Sequence, residues 1–413
     1  MADKLVSGKF HPDKAFRCRW EAMLRESQTA LCKAVEAVEE SGVCFREDVW
    51  KRGENGGGGR TCVLQGGNVF EKAGINVSAV HGDLPAEAAS AMMAEDFPKI
   101  LAASIAAARD GGSDGVQFKT DEVRFYAAGL SLVIHPVNPM APTVHMNYRM
   151  LQIFAKKAEA PTKPSASEQA STAASVVSRT ECGAQCCAVV SSCSDTSQAE
   201  HEDDLSVLWW FGGGADLSPA YPFEEDCIHF HQMLRKQCDR CDPRYYSRFK
   251  RWCDAYFRIH HRDEGRGIGG IFFDDLNEGM TVNPEKFFCF AEDGLQRTFL
   301  EAYLPLVEKR KKSTFTSKEK IWQQIRRGRY VEFNLVHDRG TKFGLLMPGS
   351  RVESILVSLP LTARWEYEHK VEENSPEGAA LAIFKNPRDW VAINEEALTG
   401  FKVPTGPNAK RKL

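Results

Sequence analysis

The chain is short of several features at once. It has no apolar run near the roughly 18–20 residues that a membrane span requires. Its first residues, Met1-Ala2-Asp3-Lys4-Leu5-Val6-Ser7-Gly8-Lys9, contain no apolar core of a secretory signal. An excess of charge of one sign is also missing: 53 basic against 56 acidic residues leave a net charge of −3. That balance gives no electrostatic case for nucleic acid or an anionic membrane. There is no Walker A sequence and no internal repeat. The 13 cysteines are odd in number and have no secretory signal before them, so reduced thiols are expected rather than a disulfide framework. What remains is ordinary globular composition, 43% hydrophobic and 26% charged over 413 residues, enough for a large core.

Periodicity supplies the elements. Phe16, Trp20, Met23, Leu24, Leu31, Val35 and Val38 recur at helical steps, so a helix is expected over 14–40 with Asp13 as its cap. The Gly53–Gly59 stretch reads as a flexible loop. Strands are expected at Thr61–Leu64, Ile75–Val80, 123–135, Leu205–Phe211 and Ile268–Leu276. Three further strands are expected at Tyr330–Val336, Gly344–Leu346 and Ile355–Leu359. Helices are expected at 85–109, Phe223–Cys241, Pro243–His260, Pro284–Lys311 and Ser317–Arg327. Residues 157–204 have no aromatic, Ile, Met or Leu, and read as a disordered surface insertion. Strands and helices mix without a βαβ rhythm, which favours an α+β fold.

Several motifs carry chemistry. Gly265-Arg266-Gly267-Ile268-Gly269-Gly270 matches a dinucleotide fingerprint in letters, but it follows a helix and opens a strand, the inverse of the required context. Its glycines read instead as a tight entry into a sheet. Cys238 and Cys241 form a lone C-x-x-C, and Cys182, Cys186, Cys187 and Cys193 fit no zinc spacing. Trp209-Trp210-Phe211-Gly212-Gly213-Gly214-Ala215-Asp216 runs a hydrophobic strand into three glycines and a carboxylate, a pattern that suits close approach of a ligand or a bulged strand. In Pro142–Arg149 a strand would place His145, Asn147 and Arg149 on one face. That face holds a proton carrier and an anion clamp. Further arginines at 326, 327, 329 and 351 suit a substrate with several carboxylates.

Read together, these segments resemble the oxygen-dependent coproporphyrinogen III oxidases of haem biosynthesis. The blocks that carry the resemblance are Phe70–Ala73, His135–Arg149, Trp209–Pro219, Phe223–His231, Tyr256–Leu276, Gln323–Pro348 and Gly349–Trp365. The resemblance implies one domain built on a large, mostly antiparallel sheet of about seven strands, with helices on both faces. It implies a homodimer, expected here through 330–366 with help from 75–89. It implies oxidative decarboxylation by dioxygen of the ring A and B propionates of coproporphyrinogen III to vinyls, giving protoporphyrinogen IX, CO2 and H2O2; an electron-rich pyrrole that reacts with dioxygen itself leads to the expectation that no cofactor is required. By the same resemblance His145, Asp216 and Arg149 are catalytic. Ser131, Asn147, Tyr148, Arg149, Asp216, Gly349, Ser350 and Arg351 bind substrate. His145 matches a proton donor, and Asp216 a carboxylate that faces the pyrrole N–H groups.

Four histidines, His135, His145, His231 and His261, match positions claimed as metal ligands in some bacterial members, so a metal-dependent oxidase stands as the alternative to the cofactor-free one. Two other readings also stand: a tetrapyrrole binder without catalysis, and a zinc module on Cys238 and Cys241. The resemblance begins near residue 14, which leads to an expectation of a cytoplasmic protein. The final Arg411-Lys412-Leu413 gives a peroxisome-like organelle as the alternative.

Overall fold

A computed structural model of the chain describes residues 12–53, 56–84, 118–157, 205–277, 283–347 and 349–403. Helix α1 (Lys14–Val38) opens where Asp13 Oδ1 accepts the Phe16 N–H at 2.7 Å. Its buried stripe, from Phe16 and Trp20 to Val35 and Val38, lies on the sheet. There Trp20 Nε1 donates to Ala128 O and Gln28 Nε2 to Ile75 O. The helix stops just short of the expected end. Glu39 follows it, and its carboxylate accepts the N–H groups of Asn68, Val69 and Phe70.

Seven strands form one antiparallel sheet: β1 (Arg46–Lys51), β2 (Gly57–Gln65), β3 (Phe70–Asp83), β4 (Phe118–Pro136), β5 (Thr143–Lys157), β6 (Leu205–Ser218) and β9 (Gly269–Leu276), adjacent in that order. A separate ribbon pairs β7 (Arg258–Ile259) with β8 (Glu264–Gly265). The α+β class and the seven-stranded sheet are as expected. The loop expected at Gly53–Gly59 is not: Gly57–Gly59 belong to β2, with Gly58 and Gly59 paired on both sides. The glycines there serve packing, since a Cβ on Gly59 would sit 2.5 Å from the Trp50 ring.

One face of the sheet is covered by α1, α2 (Glu224–Cys241), α3 (Tyr245–Tyr256), α4 (Pro284–Asp293) and α5 (Phe299–Arg310). A π turn, Gly294–Thr298, joins the last two. At its centre Phe211 stacks on Phe287 at 4.3 Å, with Trp20 alongside. The other face is roofed by a different run. Helix α6 (Ser317–Glu332) passes through a π turn, Phe333–His337, into α7 (Arg339–Leu346), and two helical turns follow at Val352–Ile355 and Leu356–Ser358.

This roof replaces the strands expected at 330–336, 344–346 and 355–359. The run Tyr330–Val336 alternates in hydropathy, but it continues a helix already nucleated by the Thr316–Glu319 capping box. Its inward residues Trp322, Arg326, Tyr330 and Phe333 keep helical spacing and are all buried. A locally strand-like pattern yields here to cooperative helix propagation. The helix expected at 85–109 and the insertion at 157–204 lie outside the described residues, except for Lys157 at the end of β5.

Candidate active site

Pairing register builds the site. Across β4, β5 and β6, Val133 faces His145, which faces Asp216. Ser131 faces Asn147, which faces Gly214, and Gly129 faces Arg149, which faces Gly212. Side chains alternate along a strand, so His145, Asn147 and Arg149 point together toward the roof. Between them lies a cavity of about 330 Å³. Ser131, His145, Asn147 and Arg149 line its floor, and Arg339, Gly349, Ser350 and Arg351 line its roof.

Behind the floor lies a buried charge relay. Asp216, 1% exposed, takes His145 Nδ1 at 2.8 Å. Its two oxygens also take three contacts of 2.7–3.2 Å from the Arg266 guanidinium. Arg266 is buried too, its guanidinium carbon 4.0 Å from the centre of the Phe257 ring and 4.8 Å from those of Tyr330 and Phe333. Burial by itself would raise the Asp216 carboxyl. The Arg266 charge and the His145 hydrogen bond outweigh it and hold the group below its ordinary value. An ionised carboxylate only accepts, so Nδ1 of His145 carries the hydrogen and Nε2 is left for the cavity. The His145 ring is fixed further by an edge contact to Phe257.

A second carboxylate lies in the wall itself. Asp274 Oδ2 receives Arg149 Nη2 and Arg339 Nη2, each at 2.9 Å. A β-bulge makes this possible: Phe211 pairs with Leu276 and Gly213 with Phe273, so two residues of β9 oppose Gly212. The extra residue, Asp275, takes left-handed backbone at φ 53°. Gly212 completes the fit. A Cβ there would overlap Asp274 Oδ1 and lie 2.8 Å from Arg149 Nε. Burial and the neighbouring Asp274 push Asp275 up to about 7. On the roof, Asp338 caps α7 by accepting from Thr341 N, and its other oxygen takes the Tyr256 hydroxyl.

The family model for Coproporphyrinogen III oxidase matches residues 19–167 and 188–390. The chain is 47% identical over 375 residues to "Coproporphyrinogen-III oxidase 1, chloroplastic" of Arabidopsis thaliana, covering 91% of this chain and 79% of that one. It is 44% identical to "Oxygen-dependent coproporphyrinogen-III oxidase" of Drosophila melanogaster, covering 91% and 78%. To the mitochondrial "Oxygen-dependent coproporphyrinogen-III oxidase" of Homo sapiens it is also 44% identical, covering 91% and 67%. The chain belongs to the coproporphyrinogen III oxidase family.

Not every site residue expected from that family reaches the cavity. Ser131, His145, Asn147, Arg149, Gly349, Ser350 and Arg351 line it, but Asp216 and Tyr148 do not. Asp216 is saturated by His145 and Arg266 and stands behind the floor. Tyr148 points to the opposite face of β5, where its hydroxyl accepts from Gln237 Nε2 and its ring packs on Phe273 and Phe290. Sequence reading missed Arg266, Asp274, Asp338 and Arg339. All four stood in the quoted blocks, Arg266 inside a motif read only for its glycines.

The histidine set offers a metal little. Among the described residues no three His, Cys, Asp or Glu side chains are grouped to hold one. His135 lies between Ser358 O and Thr143 Oγ1, and His231 between Tyr246 Oη and Ile268 O. His261 is held by His337 and Glu332. Both ring nitrogens of each already have protein partners, so these residues do not fit a shared metal. The Cys238 thiol is buried in the helical core, and among the described residues no group of three His, Cys, Asp or Glu side chains forms around it and Cys241 to hold zinc.

The cytoplasmic expectation is overturned. Relatives in this family are chloroplastic or mitochondrial. The expectation rested on where the matching segment starts, which carries no compartment information. No helix among the described residues is long and apolar enough to cross a membrane.

Proposed function

We propose that this chain is an oxygen-dependent coproporphyrinogen III oxidase, converting the ring A and ring B propionates to vinyls. Each turn balances as propionate plus O2 plus a proton giving vinyl, CO2 and H2O2. The observation that carries the reading is a cavity with Arg149, Arg339 and Arg351 around the His145 imidazole, inside a chain of this family. Guanidinium forks suit propionates. The His145 Nε2, oriented by Asp216, serves proton transfer at the reacting side chain. The pyrrole is electron-rich enough to react with dioxygen directly, so we assign no cofactor. The protein contributes position, charge pairing and exclusion of water.

We further propose that the chain acts as one catalytic domain with 157–204 as a surface insertion. We propose too that it pairs with a second copy through 330–366, with help from 75–89. Exposed Leu335, Val336, Leu345, Leu346 and Trp365 on the roof support that interface. Sedimentation should give twice the chain mass.

The deciding experiment adds coproporphyrinogen III to chelator-treated protein under air. Protoporphyrin after oxidation, with two H2O2 per substrate, is expected. Product only after a metal is returned would overturn the cofactor-free part. Tight binding without product would leave a tetrapyrrole binder.

A further inference from the structure

The arginines of the cavity differ in their counterions. Arg149 and Arg339 share Asp274, whose side chain is only 9% exposed. Arg351 Nη2 is paired instead with Asp48 Oδ2 of β1, and these two side chains are 38% and 36% exposed. The first arrangement is a desolvated part of the wall. The second is open to water, and an exposed ion pair stabilises a fold little, so it is given up at small cost.

Register places Asp48 on the working floor. It stands in one row with Thr61, Asn76, Ser131 and Asn147. Alternation puts it on the same face of β1 as Trp50, which lines the cavity with Arg52 and Arg351. Strand β1 lies four strand spacings from β5, about 19 Å, so this end faces the part of a ligand remote from His145. Arg351 does not depend on Asp48 for its place. Its carbonyl accepts the Ser354 N–H at 3.1 Å, and Ser354 Oγ shares a 2.7 Å hydrogen bond with Thr61 Oγ1. The backbone is fixed from the roof and the floor, while the guanidinium has a partner that water reaches.

On the oxidase reading proposed above, the ligand carries four carboxylates, and one that enters this end must compete with Asp48. We infer that Asp48 is an exchangeable counterion of Arg351. It occupies the guanidinium in the empty cavity and yields it to a ligand carboxylate, and it thereby limits how tightly the ligand binds.

Fluorescence titration with coproporphyrin III, which has the same four carboxylates, tests this without turnover. In Asp48→Asn the dissociation constant should fall about threefold or more. In the same variant kcat/KM for coproporphyrinogen III should rise in step. Glu47→Gln removes an equal charge from the opposite face of β1, where Glu47 meets Arg60, and should change the affinity by less than about 1.5-fold. In an Arg351→Gln background Asp48→Asn should have no effect, because the guanidinium at issue is gone. Unchanged or weaker binding in Asp48→Asn overturns the inference, and so does an equal gain in Glu47→Gln or a gain that persists without Arg351. Wild-type turnover under air is the control. Its absence sinks the oxidase reading itself, whereas turnover without the gain in Asp48→Asn sinks only the role of Asp48.

Discussion

The two faces of β5 belong to one strand and obey different rules. Met146, Tyr148 and Met150 enter a dry core under α1 to α5, where aromatic rings meet and the Tyr148 hydroxyl has a protein partner. His145, Asn147 and Arg149, one residue out of step, meet carboxylates, guanidinium groups and orphan acceptors. The difference shows how a sheet separates tasks. The pleat assigns stability to one face and chemistry to the other, and the glycines of β6 let the polar face close up without disturbing the apolar one.

That separation can be broken from the core side. Phe287→Ala removes the ring stacked on Phe211 and contacting Phe273 and Phe290. Truncation of a buried Phe costs about 3–5 kcal/mol. Denaturant unfolding should show that loss, while kcat of the folded protein stays within about twofold. A matching fall in kcat would mean that the faces are coupled. From the other side, His145→Ala should lower kcat by about 10²–10⁴-fold, the usual range for a lost acid–base group. The same variant should cost under about 1 kcal/mol of stability, because Asp216 keeps Arg266. Steady-state kinetics and a melt on one preparation check both halves.

Local pattern made the working face readable. Alternation over Pro142–Arg149 put His145, Asn147 and Arg149 together, and the cavity holds all three. Pattern failed where the deciding partner is distant. Nothing near Asp216 announces that Arg266 will neutralise it, because the contact depends on β6 meeting β9 and on three aromatic rings from elsewhere. Asp274 was hidden for a related reason: a bulge shifts the alternation by one, and only the partner strand reveals it. The roof was misread because Tyr330–Val336 carries a strand's residue types while the helix before it dictates its backbone. The general class was legible, since a seven-stranded antiparallel sheet needs only its separate strands to be recognised.

Acid sharpens the comparison. His231 lies in the helical layer and His135 under the roof, and burial pushes them down to about 3 and about 4. Both are neutral in the fold, whereas in the unfolded chain they protonate near 6.5. Stability from each is therefore complete above about 6.5 and is lost as pH falls toward the folded value. By pH 4 the loss from His231 should reach a few kcal/mol. His231→Gln lowers stability at neutral pH by its lost contacts but should flatten the slope between pH 6.5 and 4. An unchanged slope would mean that His231 is already protonated or solvated in the fold.

The opposite sign belongs to Asp275, the residue at the bulge of β9. Its carboxyl is pushed up to about 7 by burial and by Asp274, against 3.8 ordinarily. The folded state thus keeps a proton that the unfolded chain releases above about pH 4. The sign is the reverse of a salt-bridged acid: this group costs nothing below pH 4, costs more as pH rises to 7, and levels off beyond. Asp275→Asn removes the charge and keeps a side chain that tolerates the left-handed backbone. The variant should match wild type at pH 4 and gain a few kcal/mol by pH 8, read from denaturant midpoints across that range. A gain that is flat with pH would mean that Asp275 does not titrate there. A loss at every pH would mean that its carboxylate holds the bulge, and that the wall carrying Asp274 depends on both acids together.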